Sequence, residues 1–128
     1  MRDKVIGCWD LESFDIVDSS QKIRPWGKNT TGLLIYSPEG YMSVSINKDV
    51  ESNTEQETKN ILDSILFYSG TYSINGGEIH HQVFNASNPS RIGKSMIRYP
   101  SLNGELLTLK SPVESFGQAI LVWRKIHP

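Results

Sequence analysis

Hydrophobic and polar residues alternate in eight separate runs along this chain, and turn signals divide the runs. Alternation with a period of two predicts half-buried β-strands, because successive side chains of a strand point to opposite faces. We therefore predict an all-β protein, an eight-stranded antiparallel up-and-down barrel formed by one domain, residues 1–128. The predicted strands are Val5–Val17, Gly32–Ser37, Tyr41–Asn47, Tyr68–Ile74, Glu78–Asn85, Lys94–Leu102, Glu105–Ser111 and Gln118–Ile126.

The strongest local signal is the hairpin Tyr68–Asn85, whose strands are joined by Asn75-Gly76-Gly77. A two-residue turn of this hand needs positive φ at its centre, which these residue types tolerate. Such a turn pairs even-numbered residues of the first strand with odd-numbered residues of the second. The mostly apolar face, which we expect to point inward, carries Tyr68, Gly70, Tyr72, Ile74, Ile79, His81, Val83 and Asn85.

Two further turn signals set the register of other strand pairs. The segment Ser37-Pro38-Glu39-Gly40 fits a type I turn with a glycine bulge. It places Leu34, Tyr36, Met42, Val44 and Ile46 on one face. The two-residue signal Asn103-Gly104 places a second set together, and we expect Arg98 to point inward with it: Met96, Arg98, Pro100, Leu102, Leu107 and Leu109.

One segment has a helical period instead. The capping box at residues 54–57 precedes an apolar stripe made of Ile61, Leu62, Ile65 and Leu66. We predict one short helix, Glu55–Leu66, between strands 3 and 4, with its stripe packed against the barrel.

The connection lengths distinguish the two ends of the barrel. Tight turns follow strands 2, 4 and 6, and long loops follow strands 1, 3, 5 and 7. In an up-and-down barrel the tight turns then form a base, and the long loops form a mouth with the helix as its lid. Eight strands leave an interior that side chains can fill or that can hold one small ligand.

Composition and charge exclude several classes of partner. The net charge is −1 and the longest basic run is Arg124-Lys125, so we expect no nucleic-acid or membrane partner. No apolar stretch approaches the roughly 18 residues of a membrane-spanning helix. The N-terminal residues lack the apolar core of a signal peptide, and the single Cys8 cannot form an internal disulfide. We therefore expect a cytoplasmic protein.

Short motifs along the chain resemble those of a known family. Gly7-Cys8-Trp9 resembles the Gly-x-Trp signature of lipocalins, and the remainder is similar to small bacterial and fungal lipocalin-like proteins. The motifs that carry the similarity are Pro25-Trp26-Gly27, Gly32–Tyr36, Gly40-Tyr41-Met42, Tyr68–Tyr72, His81, Asn88-Pro89, Arg98, Leu107-Thr108-Leu109 and Val122-Trp123.

The resemblance implies a calycin-type barrel that binds a small hydrophobic molecule. Some lipocalin-like barrels cyclise or isomerise such molecules. In lipocalins a basic residue of the last strand covers the signature tryptophan, so Trp9 and either Arg124 or Lys125 are expected to close the barrel.

The sharpest candidate site is the inward set Tyr72, His81 and Arg98, with His81 and Arg98 at about the same height on consecutive strands. An arginine inside a barrel keeps its charge and needs an anionic or polar partner. Beside an imidazole it could anchor a ligand carboxylate or enolate. The alternative is an internal polar network in which Arg98 pairs with Glu105 or with backbone carbonyls.

Other residues are candidates for the lining of the pocket: Tyr36, Met42, Tyr68, Trp26 and Asn85. Inward aromatic residues also serve as plain core, and Asn85 could merely cap its strand. Trp26 lies in a polar loop at the mouth, where a large aromatic residue suggests contact with a ligand or lid.

The sequence carries no metal or cofactor motif. His80 and His81 are adjacent on a strand and point to opposite faces, so they cannot chelate one ion. No Ser-His-Asp order or phosphate-binding loop is present, and we expect no cofactor.

Three functions remain open. The first is binding of a small, largely hydrophobic ligand with an acidic or carbonyl end near Arg98 and His81. The second is a cofactor-free cyclase, isomerase or dehydratase, in which His81 acts as acid–base with a pKa near neutrality while Arg98 and Tyr72 stabilise negative charge. The third is a barrel filled by its own side chains that mediates association, for example as a homodimer.

Overall fold

The computed structural model describes residues 1–51 and 57–126, which form one antiparallel sheet that closes on itself. The order of strands is β2-β1-β3-β4-β5-β6-β7-β8-β9, and a further pairing of β1 with β9 closes the barrel. The strands are β1 (Gly7–Val17), β2 (Ile23–Pro25), β3 (Thr31–Tyr36), β4 (Tyr41–Asn47), β5 (Ile65–Asn75), β6 (Glu78–Ala86), β7 (Ser95–Asn103), β8 (Leu106–Lys110) and β9 (Gln118–Lys125). The helices are α1 (Arg2–Val5), α2 (Glu57–Asp63) and a 3₁₀ turn (Pro89–Arg91).

The predicted eight-stranded up-and-down barrel is confirmed, with β2 as a short addition in the first long loop. Strand β1 pairs with β3 at its start and with β2 at its end, while β9 runs along its other edge. β2 therefore continues the sheet where β3 leaves β1, and the described strands of the barrel keep no long open edge.

The hairpin registers follow from the turn residues. Asn75 pairs with Glu78 around Gly76 and Gly77, whose φ values are 58° and 81°. Tyr36 likewise pairs with Met42, as the sequence predicts.

The last hairpin turns one residue later than predicted. Asn103 pairs with Leu106 around Gly104-Glu105, and φ is positive at Gly104 (61°), as a turn with glycine first requires. Each residue of β7 therefore pairs with a residue of β8 two positions later than predicted. Because a shift by two keeps the alternation, the predicted inward residues stay on the inward face.

The prediction that Asn85 faces inward is wrong, because β6 contains a β-bulge before it. The register of β5 and β6 shifts between Ser69 and Gly70, so that Gly70 pairs with Val83 but Ser69 pairs with Asn85. The extra residue on β6 reverses the alternation beyond it. The side chain of Asn85 is exposed and outside the barrel, and Ala86 takes the inward position.

A second bulge acts in the same way on β1. Its register against β9 shifts between Leu11 and Ser13. The alternation that buries Trp9 therefore changes phase, and Phe14 and Ile16 are the buried residues at the end of the strand. Trp9, before the bulge, and Phe14 and Ile16, after it, all pack in the same core.

The predicted helix ends earlier than expected. α2 ends at Asp63, and Ile65 and Leu66 belong to β5 because they pair with β4. Of the predicted stripe, Leu62 is 65% exposed and Ile61 and Ile65 are also exposed. No residue of Glu57–Asp63 lines the interior cavity. The role of this helix as a lid stays a prediction. Residues 54–56 of the predicted capping box lie outside the described residues.

The tight-turn end of the barrel is closed around Trp9. The indole Nε1 of Trp9 donates to the carbonyl of Val5 at 2.8 Å. The Nζ atom of Lys125 lies 4.7 Å from the centre of the Trp9 ring and donates to the carbonyl of Ile6. Arg124 points outward and forms an exposed ion pair with Glu12, 3.1 Å between Nε and Oε2. Of the two basic candidates, Lys125 is therefore the residue that lies over Trp9.

Candidate functional site

The barrel encloses a cavity of about 450 Å³ that opens between the long loops. Its walls are largely aliphatic and aromatic, which suits an apolar ligand. We call the floor of the cavity the set of lining residues that lie nearest the tight-turn end of their strands. The floor residues include Leu34, Tyr68, His81, Arg98, Leu109 and Trp123.

His81 lies at this floor between two tyrosine hydroxyls. The Nε2 atom is 2.6 Å from the hydroxyl oxygen of Tyr36, and Nδ1 is 2.7 Å from that of Tyr68. A neutral imidazole has one donor and one acceptor nitrogen, so one tyrosine donates to the ring and the other accepts from it. The His81 ring is 2% exposed and has both nitrogens occupied.

The environment keeps all three groups uncharged at neutral pH. Burial, with smaller contributions from the charges of Arg98 and His80, lowers the pKa of His81 from 6.5 to about 3. Burial also raises the pKa of the Tyr68 hydroxyl and raises that of Tyr36 well above 10. The prediction that His81 has a pKa near neutrality, as an acid–base role would require, is therefore wrong.

Arg98 lies beside this network, as the sequence predicts. Arg98 pairs with Ile79, and His81 pairs with Met96. Arg98 is therefore offset from His81 by two residues along the strands, which is one inward-facing position. The guanidinium is half-buried and lines the cavity, and its Nη1 donates to the carbonyl of Ile97 at 2.7 Å. The guanidinium carries five N–H donors, so this contact to the backbone is compatible with a further acceptor.

Tyr72, Tyr36 and Met42 point inward but lie below the cavity and do not line it. The hydroxyl of Tyr72 donates to the carbonyl of Ser37 at 2.7 Å, at the tight-turn end. The structure therefore separates Tyr72 from Arg98 and brings Tyr68 to the position expected for Tyr72.

Trp26 lies at the mouth and lines the cavity. Its ring stacks on Phe14 with 4.8 Å between centroids and 7° between planes. The Nζ atom of Lys48 lies 4.3 Å from the centre of the same indole ring. A ligand that enters the barrel therefore passes an aromatic pair with a cation beside it.

Several residues of the lining could not be identified from the sequence. Arg24, Lys48 and Arg91 reach the cavity from the long loops. With Arg98 they make four cationic side chains in the lining, which holds one carboxylate, that of Glu114. Their loops carry no periodic pattern that indicates direction. Trp123 could have been found, because the alternation of β9 places it on the same face as two other lining residues of that strand, Ala119 and Leu121.

Comparisons with known proteins agree with the architecture. A redesigned β-barrel matches with 7% identity and a TM-score of 0.54, covering 98% of this chain and 95% of its own. A de novo designed fluorescence-activating β-barrel matches with 9% identity and a TM-score of 0.52, covering 98% and 96%. At such identities the likeness shows the fold.

A crystal structure of a point mutant of the fluorescent protein UnaG is similar at 12% identity and a TM-score of 0.49, with full coverage of both chains. No curated protein matches this chain. A family model described as a lipocalin-like domain matches residues 6–126. Since that match spans nearly the whole chain, the protein belongs to the lipocalin-like domain family.

Proposed function

We propose that this protein binds a small, largely apolar molecule whose acidic or carbonyl end is held near Arg98. The observation that supports this function best is the cavity itself. It has about 450 Å³ of space, mostly apolar walls, and four cationic side chains against one carboxylate. A cavity of this kind favours an amphiphile with a negative end.

The charge of the lining contrasts with that of the whole chain. The protein has a net charge of −1, yet the cavity concentrates positive groups. A low-dielectric cleft lined by one sign of charge attracts ligands of the opposite sign. Arg98 is the cation at the floor, and a half-buried guanidinium gains most from an anionic partner that hydrogen-bonds to it.

The other two functions are less well supported. The enzyme hypothesis needs His81 as a general acid or base, but both of its nitrogens contact tyrosine hydroxyls and its low pKa keeps it neutral. A barrel filled by its own side chains is difficult to reconcile with the size of the cavity. A homodimer, a cytoplasmic location and the expected lack of nucleic-acid and membrane partners stay predictions.

Native mass spectrometry of freshly purified protein is the first experiment, since it detects a co-purified small molecule. The sharper test is titration of decanoic acid and decanol against the wild type and the Arg98→Met variant by isothermal calorimetry. Loss of a charged hydrogen bond of about 2 kcal/mol weakens binding of the acid roughly thirtyfold. Affinity for the alcohol should change little.

Arg124→Met is the matched control, because it removes an arginine on the outside of the barrel. It should bind both probes as the wild type does. Equal affinity of the wild type and Arg98→Met for decanoic acid would remove Arg98 from the site. Failure of the wild type to bind either probe would contradict the proposed binding of aliphatic amphiphiles.

A further inference from the structure

The indole of Trp123 is buried without a hydrogen-bond partner. Trp123 is 1% exposed, and its Nε1 finds no acceptor within residues 1–51 and 57–126. The same residue lines the cavity. Trp9, the other fully buried indole of the described chain, donates instead to the carbonyl of Val5.

A buried donor without a partner is costly. Leaving such a group unsatisfied costs about 1–3 kcal/mol, and buried tryptophan N–H groups usually find an acceptor. A phenylalanine would supply an apolar ring at this position without that cost. An unpaired indole at the floor of a binding cavity therefore indicates an acceptor that arrives with the ligand.

We propose that Trp123 donates a hydrogen bond to an oxygen atom of the bound molecule, which enters the barrel with its polar end first. This inference rests on the proposed function and adds the orientation of the ligand. Trp123 on β9 and Arg98 on β7 both line the cavity, from the two strands that flank β8. A head group with two acceptor oxygens, such as a carboxylate, can accept from an indole N–H and from a guanidinium, and its tail then extends toward the mouth.

The opposite orientation would place the acidic head among Arg24, Lys48 and Arg91 at the mouth. Two of these cations already have favourable surroundings: Arg24 is exposed to water, and Lys48 contacts the ring of Trp26. The mouth therefore gains less from an anion than the floor gains from an acceptor at Trp123. This difference decides the proposed orientation.

The direct test is nuclear magnetic resonance of ¹⁵N-labelled indole groups in the wild-type protein. Its three tryptophans give three indole signals, which Trp→Phe variants assign. Saturating decanoic acid should move the Trp123 proton downfield and leave the Trp9 proton unchanged. A Trp123 signal that does not move although the acid binds would overturn the inference and leave the proposed function intact.

Affinities supply the second test, with methyl decanoate as an uncharged probe that keeps the carbonyl acceptor. Loss of a neutral hydrogen bond of about 1 kcal/mol predicts that Trp123→Phe binds the acid and the ester each roughly fivefold more weakly. Arg98→Met should weaken binding of the acid more than binding of the ester, because only the acid offers a charged acceptor to the guanidinium. Tyr41→Phe is the control and should bind both probes as the wild type does, because Tyr41 is 58% exposed and does not line the cavity.

These outcomes separate the two claims. Wild-type affinity of Trp123→Phe for both probes would overturn the orientation proposed here. Failure of the wild type to bind either probe would instead overturn the proposed function on which the inference rests. If Trp123→Phe does not fold, the indole signal of the wild-type protein decides.

Discussion

The buried His81 should make the stability of this protein depend on pH. In the folded barrel the pKa of His81 is lowered to about 3, whereas in the unfolded chain it returns to about 6.5. Between these values the unfolded state binds the proton and the folded state does not. The free energy of unfolding therefore falls as the pH falls through this range.

The size of the effect follows from the two pKa values. At pH 5 the unfolded chain gains about 2 kcal/mol from protonation of this histidine, while the folded protein gains almost nothing. At about pH 3 and below, the full difference approaches roughly 5 kcal/mol. A loss of 2 kcal/mol is a large part of the stability of a domain of this size.

The perturbation is His81→Gln, which removes the titrating ring. Urea unfolding followed by tryptophan fluorescence at pH 8 and about pH 5 gives the free energy of unfolding for each protein. The variant should be less stable overall, because the two tyrosine hydroxyls lose their partner. It should also lose about 2 kcal/mol less than the wild type between the two pH values.

His80→Gln is the matched control, since it removes the neighbouring histidine on the opposite face of the same strand. It should keep the pH dependence of the wild type. If the wild type and His81→Gln show the same pH dependence, or if the imidazole signal of His81 titrates near pH 6.5, the neutral His81 network described here is wrong.

Two further predictions concern the architecture, and both are checked by urea unfolding of variants. Lys125→Met should lower the free energy of unfolding by about 2 kcal/mol, because the cation over the buried ring at the base and its backbone contact are lost; Arg124→Met should change it little, since that ion pair is exposed. Equal effects of the two variants would contradict the assignment of Lys125 to the closing contact. Gly70→Ala should cost about 3 kcal/mol, because its Cβ would lie 1.7 Å from a carbonyl oxygen of the neighbouring strand. Gly76→Ala has open space around its Cβ and should cost only about 1 kcal/mol for its positive φ; a Gly70→Ala variant as stable as Gly76→Ala would contradict the close approach at the bulge.

The sequence by itself determined the number of barrel strands, their order and most of their inward faces. Alternation assigned Tyr36, Tyr68, His81 and Arg98 to the interior, and turn residues such as Gly76 set the registers. These features are local, because the face of a strand repeats every two residues and a short turn fixes the pairing.

Only the tertiary structure decided where the alternation changes phase and how deep each inward residue lies. Bulges turned Asn85 outward and Phe14 inward, since one extra residue in a strand reverses every position beyond it. Alternation gives the face of a residue but not its height in a closed, tilted barrel. In the closed barrel Tyr72 does not line the cavity, whereas Arg98 and the unpaired indole of Trp123 do.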